Sequence, residues 1–258
     1  MTDAVLADRD DAGVLTLTFN RPDRHNGWSE ELQLPYYALL ESAAVDPDVR
    51  AVVVTGAGRS FCPGADMGRL TGLGEGGAGL PMQSPVPRRF PKPLIAAING
   101  ACAGVGLVQA LWCHVRFAAD TAKFTTAFAR RGLIAEYGMG WMLPRLVGLE
   151  NALDLLVSAR TIDAAEAKQL GLVSRVVPRD EVLPAAQAYA RDIAVHCSPQ
   201  AMATITREVL DGLDLPFEEA YNRSHEDMNR FLGGPDLREG VASFLEKRPP
   251  RFPPLQEG

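Results

Sequence analysis

The stretch PLIAAINGACAGVGLVQALWCHVRFAA, Pro93 to Ala119, contains a run from Leu94 to Cys113 apolar enough to raise the question of a membrane span. Asn99, Gln109 and the glycines at 100, 104 and 106 interrupt that run. It therefore divides better into a buried strand, a turn and a helix. CHVRFAA then returns as a strand after a helix-sized gap. Strands that alternate with helical segments imply crossover units and a largely parallel sheet.

The same alternation extends toward the N-terminus. VRAVVVTG is a short β-branched run, as expected of a strand buried on both faces. GVLTLTF (Gly13 to Phe19) is rich in strand formers, and NRPDRHNG after it reads as a loop. Ser29 to Ala44 has helix character with Ser29 as N-cap, although Pro35 inside it calls for a later start or a bend. Beyond Gly138 the character changes. Asn151–Ser158, Ala164–Leu170, Glu181–His196, Pro199–Leu213, Phe217–Leu232 and Asp236–Lys247 read as helices, interrupted only by the strand SRVVP. The expected organisation is an α/β core over residues 1–195 and a helical region over residues 196–258. GLGEGGAGL, Gly72 to Leu80, suits a mobile loop or lid rather than regular structure, and no internal repeat is found.

Composition bounds the partners. The 258 residues carry a net charge of -6, from 26 Lys and Arg against 32 Asp and Glu. That argues against nucleic acid or an anionic membrane as the main partner. The acidic start MTDAVLADRDD lacks the basic and apolar regions of a signal peptide. Cys62, Cys102, Cys113 and Cys197 form no CxxC pair, which fits reduced thiols in a cytoplasmic protein. His25, His114, His196 and His225 are scattered without metal-ligand spacing, so no metal is expected.

Two glycine-rich turns follow the strongest strands: TGAGRSFCPGADMGRL (55–70) and INGACAGVGLVQAL (98–111). The first lacks the GKS or GKT ending of a nucleotide triphosphate loop, and the second is not a dinucleotide fingerprint. Each feeds a helix start, where backbone N–H groups point outward. Taken singly, either turn is more often just a tight connection. Two such N–H groups converging on one point would make an oxyanion hole.

Taken together and in order, NRPDRHNGW, VVVTGAGRSFCPGADM, PLIAAINGACAGVGL, FARRGLIAEYGMGWMLPRLVG, AKQLGLVSRVV and REGVASFLEKR resemble the crotonase (enoyl-CoA hydratase/isomerase) superfamily. The resemblance covers nearly the whole chain. It implies an α/β fold of repeated ββα units in a spiral, with C-terminal helices that build a homotrimer or a hexamer. It implies acyl-CoA thioester substrates whose carbonyl becomes an enolate or related oxyanion; coenzyme A belongs to the substrate, and no separate cofactor is expected. Position by position, it assigns the oxyanion N–H groups to Ala65 and Val105 and sets Ala65, Asp66 and Met67 beside the CoA moiety. Asp66 read on its own is a cap of the following helix. Phe244 and Lys247 resemble residues that reach CoA from the last helix, often across a subunit interface.

The departures from the family pattern bear on the chemistry. The two hydratase glutamates would fall at Val108 and Phe128, both apolar here. Glu136, in GLIAEYGMGW, matches the single acid of members that shift a double bond or a proton along the acyl chain. A carboxylate among apolar residues gains proton affinity, which suits it to take a proton and return it elsewhere. Its structural alternative is an ion pair with Arg130, Arg131 or Arg145. The expected activity is 3-enoyl-CoA to 2-enoyl-CoA isomerisation. Hydration, another crotonase-type hydrolysis, or acyl-CoA binding without turnover are the alternatives.

Overall fold

The protein is described here by a computed structural model covering residues 3–66, 68 and 86–256. The expected lid (72–80) and Met67 lie outside the described residues. Among the described residues ten strands form two sheets. In the larger one, β1 (Val5–Arg9), β2 (Val14–Phe19), β3 (Ala51–Gly56), β5 (Leu94–Ile98), β7 (Val115–Ala119) and β10 (Arg175–Val177) lie in that order. Only β1 is antiparallel to its neighbour. β3 and β5 are buried at every position, as the apolar runs AVVV and LIAAI require of strands covered on both faces.

The smaller sheet was not legible as strands. β4 (Ser60–Cys62), β6 (Ala101–Ala103), β8 (Lys123–Thr125) and β9 (Ile162–Asp163) form it in that order. The first three run parallel, with Cys62 opposite Cys102, Cys102 opposite Phe124 and Ala103 opposite Thr125. Each is a continuation of a long strand: β3 leads to β4, β5 to β6 and β7 to β8 after short turns. Every pass through the long sheet therefore ends at the same edge of the short one. That repetition is the ββα spiral, and it sets three loops side by side, those after Cys62, Ala103 and Thr125.

Helices pack around this frame. They are α1 (Glu30–Val45), α2 (Val105–Trp112), α3 (Met139–Val147), α4 (Leu149–Ser158), α5 (Ala164–Gln169), α6 (Val182–His196), α7 (Pro199–Gly212), α8 (Phe217–Phe231) and α9 (Pro235–Glu246). α6 lies across β2, β3, β5 and β7. α1 starts before Pro35 and continues through it, so of the two expectations, a later start or a bend, the later start does not hold. Its N-cap Ser29 has extended backbone but makes no side-chain cap; the hydroxyl accepts from Arg21 instead. Phe19, Trp28, Tyr36 and Phe61 meet edge to face between α1 and the sheets, with all four rings at most 1% exposed. No helix among the described residues is long and apolar enough to cross a membrane.

The contact of α2 with β4 leaves no room for a side chain. A Cβ on Gly106 would stand 2.1 Å from the Cys62 carbonyl oxygen and 2.7 Å from its sulfur. The helix can approach the strand only because residue 106 is glycine. Gly106→Ala is expected to lose about 3 kcal/mol or more, the upper end of overpacking costs, because the obstacle is backbone. Denaturant midpoints check this; wild-type stability in that variant would refute the close approach.

Candidate active site

The three loops at the edge of the short sheet carry the residues in question. Ala65 sits between Gly64 and Asp66, and both neighbours are held by one residue. The Trp28 N–H donates to the Gly64 carbonyl (2.8 Å), and the Asp66 N–H donates to the Trp28 carbonyl (3.0 Å). This is a single parallel bridge between Trp28 and Ala65. In such a bridge the central residue turns its own N–H away from the partner strand. The Ala65 N–H makes no hydrogen bond to a described residue. Pro63, which has no N–H, lies outside the bridge and takes nothing from it.

The second turn faces the first. Gly104 takes the strained backbone (φ 49°, ψ −125°), so Val105 opens α2 with ordinary negative φ. The Gly104 N–H is bound by the Thr125 carbonyl (3.1 Å), and the first helical bond is Val108 N–H to Gly104 carbonyl (3.1 Å). The N–H of Val105 is therefore one of the orphan donors at a helix start. It has no described acceptor. A Cβ on Gly104 would lie 3.6 Å from the Gly64 Cα and 4.0 Å from the Phe128 ring. The two turns thus touch, backbone to backbone, with Phe128 against them. The positive end of α2 adds a favourable field for negative charge at this point.

Val108 and Phe128 are both buried, at 1% and 5% exposure. Phe128 also anchors the loop that carries Glu136, since its carbonyl accepts from the N–H of Arg131 (2.8 Å) and of Leu133 (3.0 Å). At the loop's other end the Trp112 indole donates to the Tyr137 carbonyl (3.3 Å). A Cβ on Gly138 would meet the Trp112 ring at 3.0 Å. The loop is therefore pinned near both ends of α2, a helix about 12 Å long.

Glu136 is half-buried on this loop. The expectation that its neighbours bury it needs correction: Leu133, Ile134 and Tyr137 are exposed, Ile134 by 80%. The segment is a surface turn, with positive φ at Gly132, Tyr137 and Gly138, rather than a core strand or helix. Arg130, Arg131 and Arg145 each donate to a backbone carbonyl, of Ser158, Ala127 and Trp141 respectively.

Other candidates fall into place around these. The Asp66 carboxylate accepts from the Gly68 N–H (2.9 Å) and faces Arg21, and beyond Gly68 the helix it is expected to cap lies outside the described residues. Burial pushes the Cys62 thiol up to about 12, against hydrogen bonding to Gly64 and Trp28 that lowers it, so it is no thiolate nucleophile at neutral pH. Phe244 is 82% exposed near the end of α9, and Lys247 follows with left-handed backbone and no ion pair to a described residue. Neither is brought to the turns by its own chain's hydrogen bonds. Among the described residues no group of three His, Cys, Asp or Glu is placed to hold a metal. A cavity of about 840 Å³ lies elsewhere, between the end of α1, Arg88–Pro91, α7 and Leu255, and includes none of Ala65, Val105 or Glu136.

Sequence reasoning passed over Arg21, Asn26 and Trp28, which organise the first turn. Their only signal was their place in NRPDRHNGW, a stretch with no chemistry of its own until the chain folds.

Comparison with known proteins identifies the family. The family described as Enoyl-CoA hydratase/isomerase matches residues 9–254. A 1,2-epoxyphenylacetyl-CoA isomerase of Escherichia coli is 34% identical over 93% of this chain and 95% of its own. A probable enoyl-CoA hydratase of Mycobacterium tuberculosis is also 34% identical, over 96% of this chain and 92% of its own. The crystal structure of a probable enoyl-CoA hydratase/isomerase from Mycobacterium abscessus superposes with a TM-score of 0.90 at 30% identity, covering 97% of this chain and 99% of that one. With the spiral, the paired turns and these matches in agreement, the chain belongs to the enoyl-CoA hydratase/isomerase family, the crotonase superfamily.

Proposed function

We propose that this family member is an acyl-CoA isomerase that converts 3-enoyl-CoA to 2-enoyl-CoA. The observation that carries the reading is the pair Val108 and Phe128, buried and apolar beside the paired turns, where hydratase carboxylates would be needed. Without them, no carboxylate at those positions activates water. Glu136, on the adjoining loop, is the remaining acid of the family pattern.

In this mechanism the thioester oxygen accepts from the Ala65 and Val105 N–H groups. The Glu136 carboxylate takes the proton from C2, and the electrons of that C–H bond form a dienolate whose negative charge rests on the thioester oxygen. The protonated Glu136 then returns the proton to C4, leaving the double bond between C2 and C3. No water enters, and Glu136 ends as it began. Backbone donors fixed before the reaction need no reorganisation as the charge develops. Asp66 near the first turn and, by the family resemblance, Met67, with Phe244 and Lys247 from a neighbouring subunit, would hold the CoA moiety.

The Escherichia coli isomerase relative favours this branch only weakly, because probable hydratases match at the same identity. Those hydratases support the second reading, in which Glu136 manages water. Product mass after turnover in oxygen-18 water separates the two. Isomerisation leaves the mass of a 3-enoyl-CoA unchanged and crotonyl-CoA unlabelled. Glu136→Gln should then lower turnover at least about a hundredfold with substrate binding near wild type, the scale of general acid–base catalysis. Rapid label incorporation by the wild type would replace isomerase by hydratase, and retained turnover in Glu136→Gln would remove its catalytic role.

The proposed assembly is a homotrimer or a dimer of trimers. Its support is apolar surface at helical spacing: Leu149, Leu153 and Val157 on α4, Ile205 and Val209 on α7, Val241 and Phe244 on α9, all exposed in the single chain. Helix faces of this kind seek a partner. Sedimentation at micromolar concentration should show three or six chains; a monomer would contradict both the assembly and the cross-subunit role of Phe244.

A further inference from the structure

Arg21 is charged and largely enclosed, its side chain 17% exposed, in a loop with no substrate-facing role assigned to it. Its Nη1 donates to the Gly27 carbonyl (3.2 Å) and to the Ser29 hydroxyl (2.7 Å). Its Nη2 faces Glu31 at 3.1 Å and Asp66 at 3.6 Å. The contacts at 27 and 29 flank Trp28, the residue that grips the peptides on either side of Ala65. The contact at 66 is with the residue directly after Ala65. One guanidinium thus holds both partners of the bridge that aims the first oxyanion donor.

The backbone of Arg21 is fixed with equal care. Its N–H donates to the Asn26 Oδ1 (2.9 Å), and the Asn26 N–H returns to the Arg21 carbonyl (2.9 Å). Asn26 is fully buried in left-handed backbone and ties the loop to the Ala57 and Ser60 carbonyls (2.9 and 2.8 Å) at the root of β4. The Asp66 carboxylate is 13% exposed, so removing Arg21 would leave a shielded charge whose compensation among the described residues is the Gly68 N–H. A shielded carboxylate stripped of its cation moves toward water. The peptide it would drag is the one that follows Ala65.

We infer that Arg21, acting through Asp66 and Trp28, is a positioning residue that sets the direction of the Ala65 N–H and so tunes stabilisation of the enolate oxygen. This rests on the oxyanion reading of Ala65 and Val105. Lysine cannot replace it fully, because a single ammonium does not reproduce the two-pronged contact with Ser29 and Asp66. The arginine serves geometry here rather than the ligand's phosphates: two carboxylates, a carbonyl and a hydroxyl already surround the guanidinium.

The test compares two probes that share the CoA moiety. Butyryl-CoA presents a neutral thioester carbonyl. Acetoacetyl-CoA can lose its α-proton and bind as an enolate, which is visible by its ultraviolet absorbance. Wild type should bind acetoacetyl-CoA as the enolate. Arg21→Met should keep butyryl-CoA affinity within about threefold, yet lose enolate affinity by about tenfold to a hundredfold, as expected for a donor displaced by up to an ångström. The same loss should appear in kcat more than in KM. Arg21→Lys should recover part of it. Ser29→Ala, which removes one Arg21 anchor beside Trp28 and leaves the Asp66 ion pair, provides the same comparison if Arg21→Met does not fold, with a smaller loss of the same sign. Equal losses for both probes would make Arg21 a CoA contact, and no selective loss would make it only structural; either overturns the inference. Absence of enolate in the wild type would instead overturn the oxyanion reading beneath it.

Discussion

Two glycine turns meeting backbone to backbone are the constraint on which the rest of this structure depends. Gly64 and Gly104 come together because their parent strands, β4 and β6, run parallel, with Cys62 opposite Cys102 past a register shift after Ser60. A side chain at Gly64 would press on the Ala103 carbonyl (3.3 Å), and both glycines hold positive φ, 110° and 49°, which L side chains rarely adopt. One step further along, Gly106 lets α2 lie directly on Cys62. The sheet register therefore decides where the N–H groups of Ala65 and Val105 sit, before any ligand arrives.

The donors differ in how they are held. Val105 owes its free N–H to the start of a helix, a property any helix has. Ala65 owes its direction to a bridge with Trp28, on a loop that Asn26 ties to Arg21 and to the Ala57 and Ser60 carbonyls. The first donor to consider in any loss of function is thus Ala65, since its support is made of side chains. Phe128 links this centre to the acid. Its ring rests near Gly104 and its carbonyl anchors the Glu136 loop.

The long strands were readable because unbroken apolar runs such as AVVV and LIAAI have no other stable environment. The C-terminal helices were readable to within about two residues at each end for a similar reason, their apolar spacing, within the usual ambiguity of helix ends. The short strands were not. Ser60–Cys62 and Ala101–Ala103 are three residues each, embedded in glycine-rich stretches, and they exist by pairing with one another across forty residues of chain. Local pattern carries no trace of such a pairing. Glu136 shows the converse failure. Its apolar neighbours suggested a core, but a turn with three positive-φ residues sends Leu133, Ile134 and Tyr137 outward. Arg21 was invisible as a contributor because its partners lie eight, ten and forty-five positions away.

The central claim is that the N–H groups of Ala65 and Val105 converge on one oxygen. A crystal structure with a bound acyl-CoA tests it most directly. The thioester oxygen should lie about 2.7–3.1 Å from both nitrogens, the range of working oxyanion donors. A thioester oxygen bonded to neither nitrogen, in a complex with well-ordered CoA, would contradict the account.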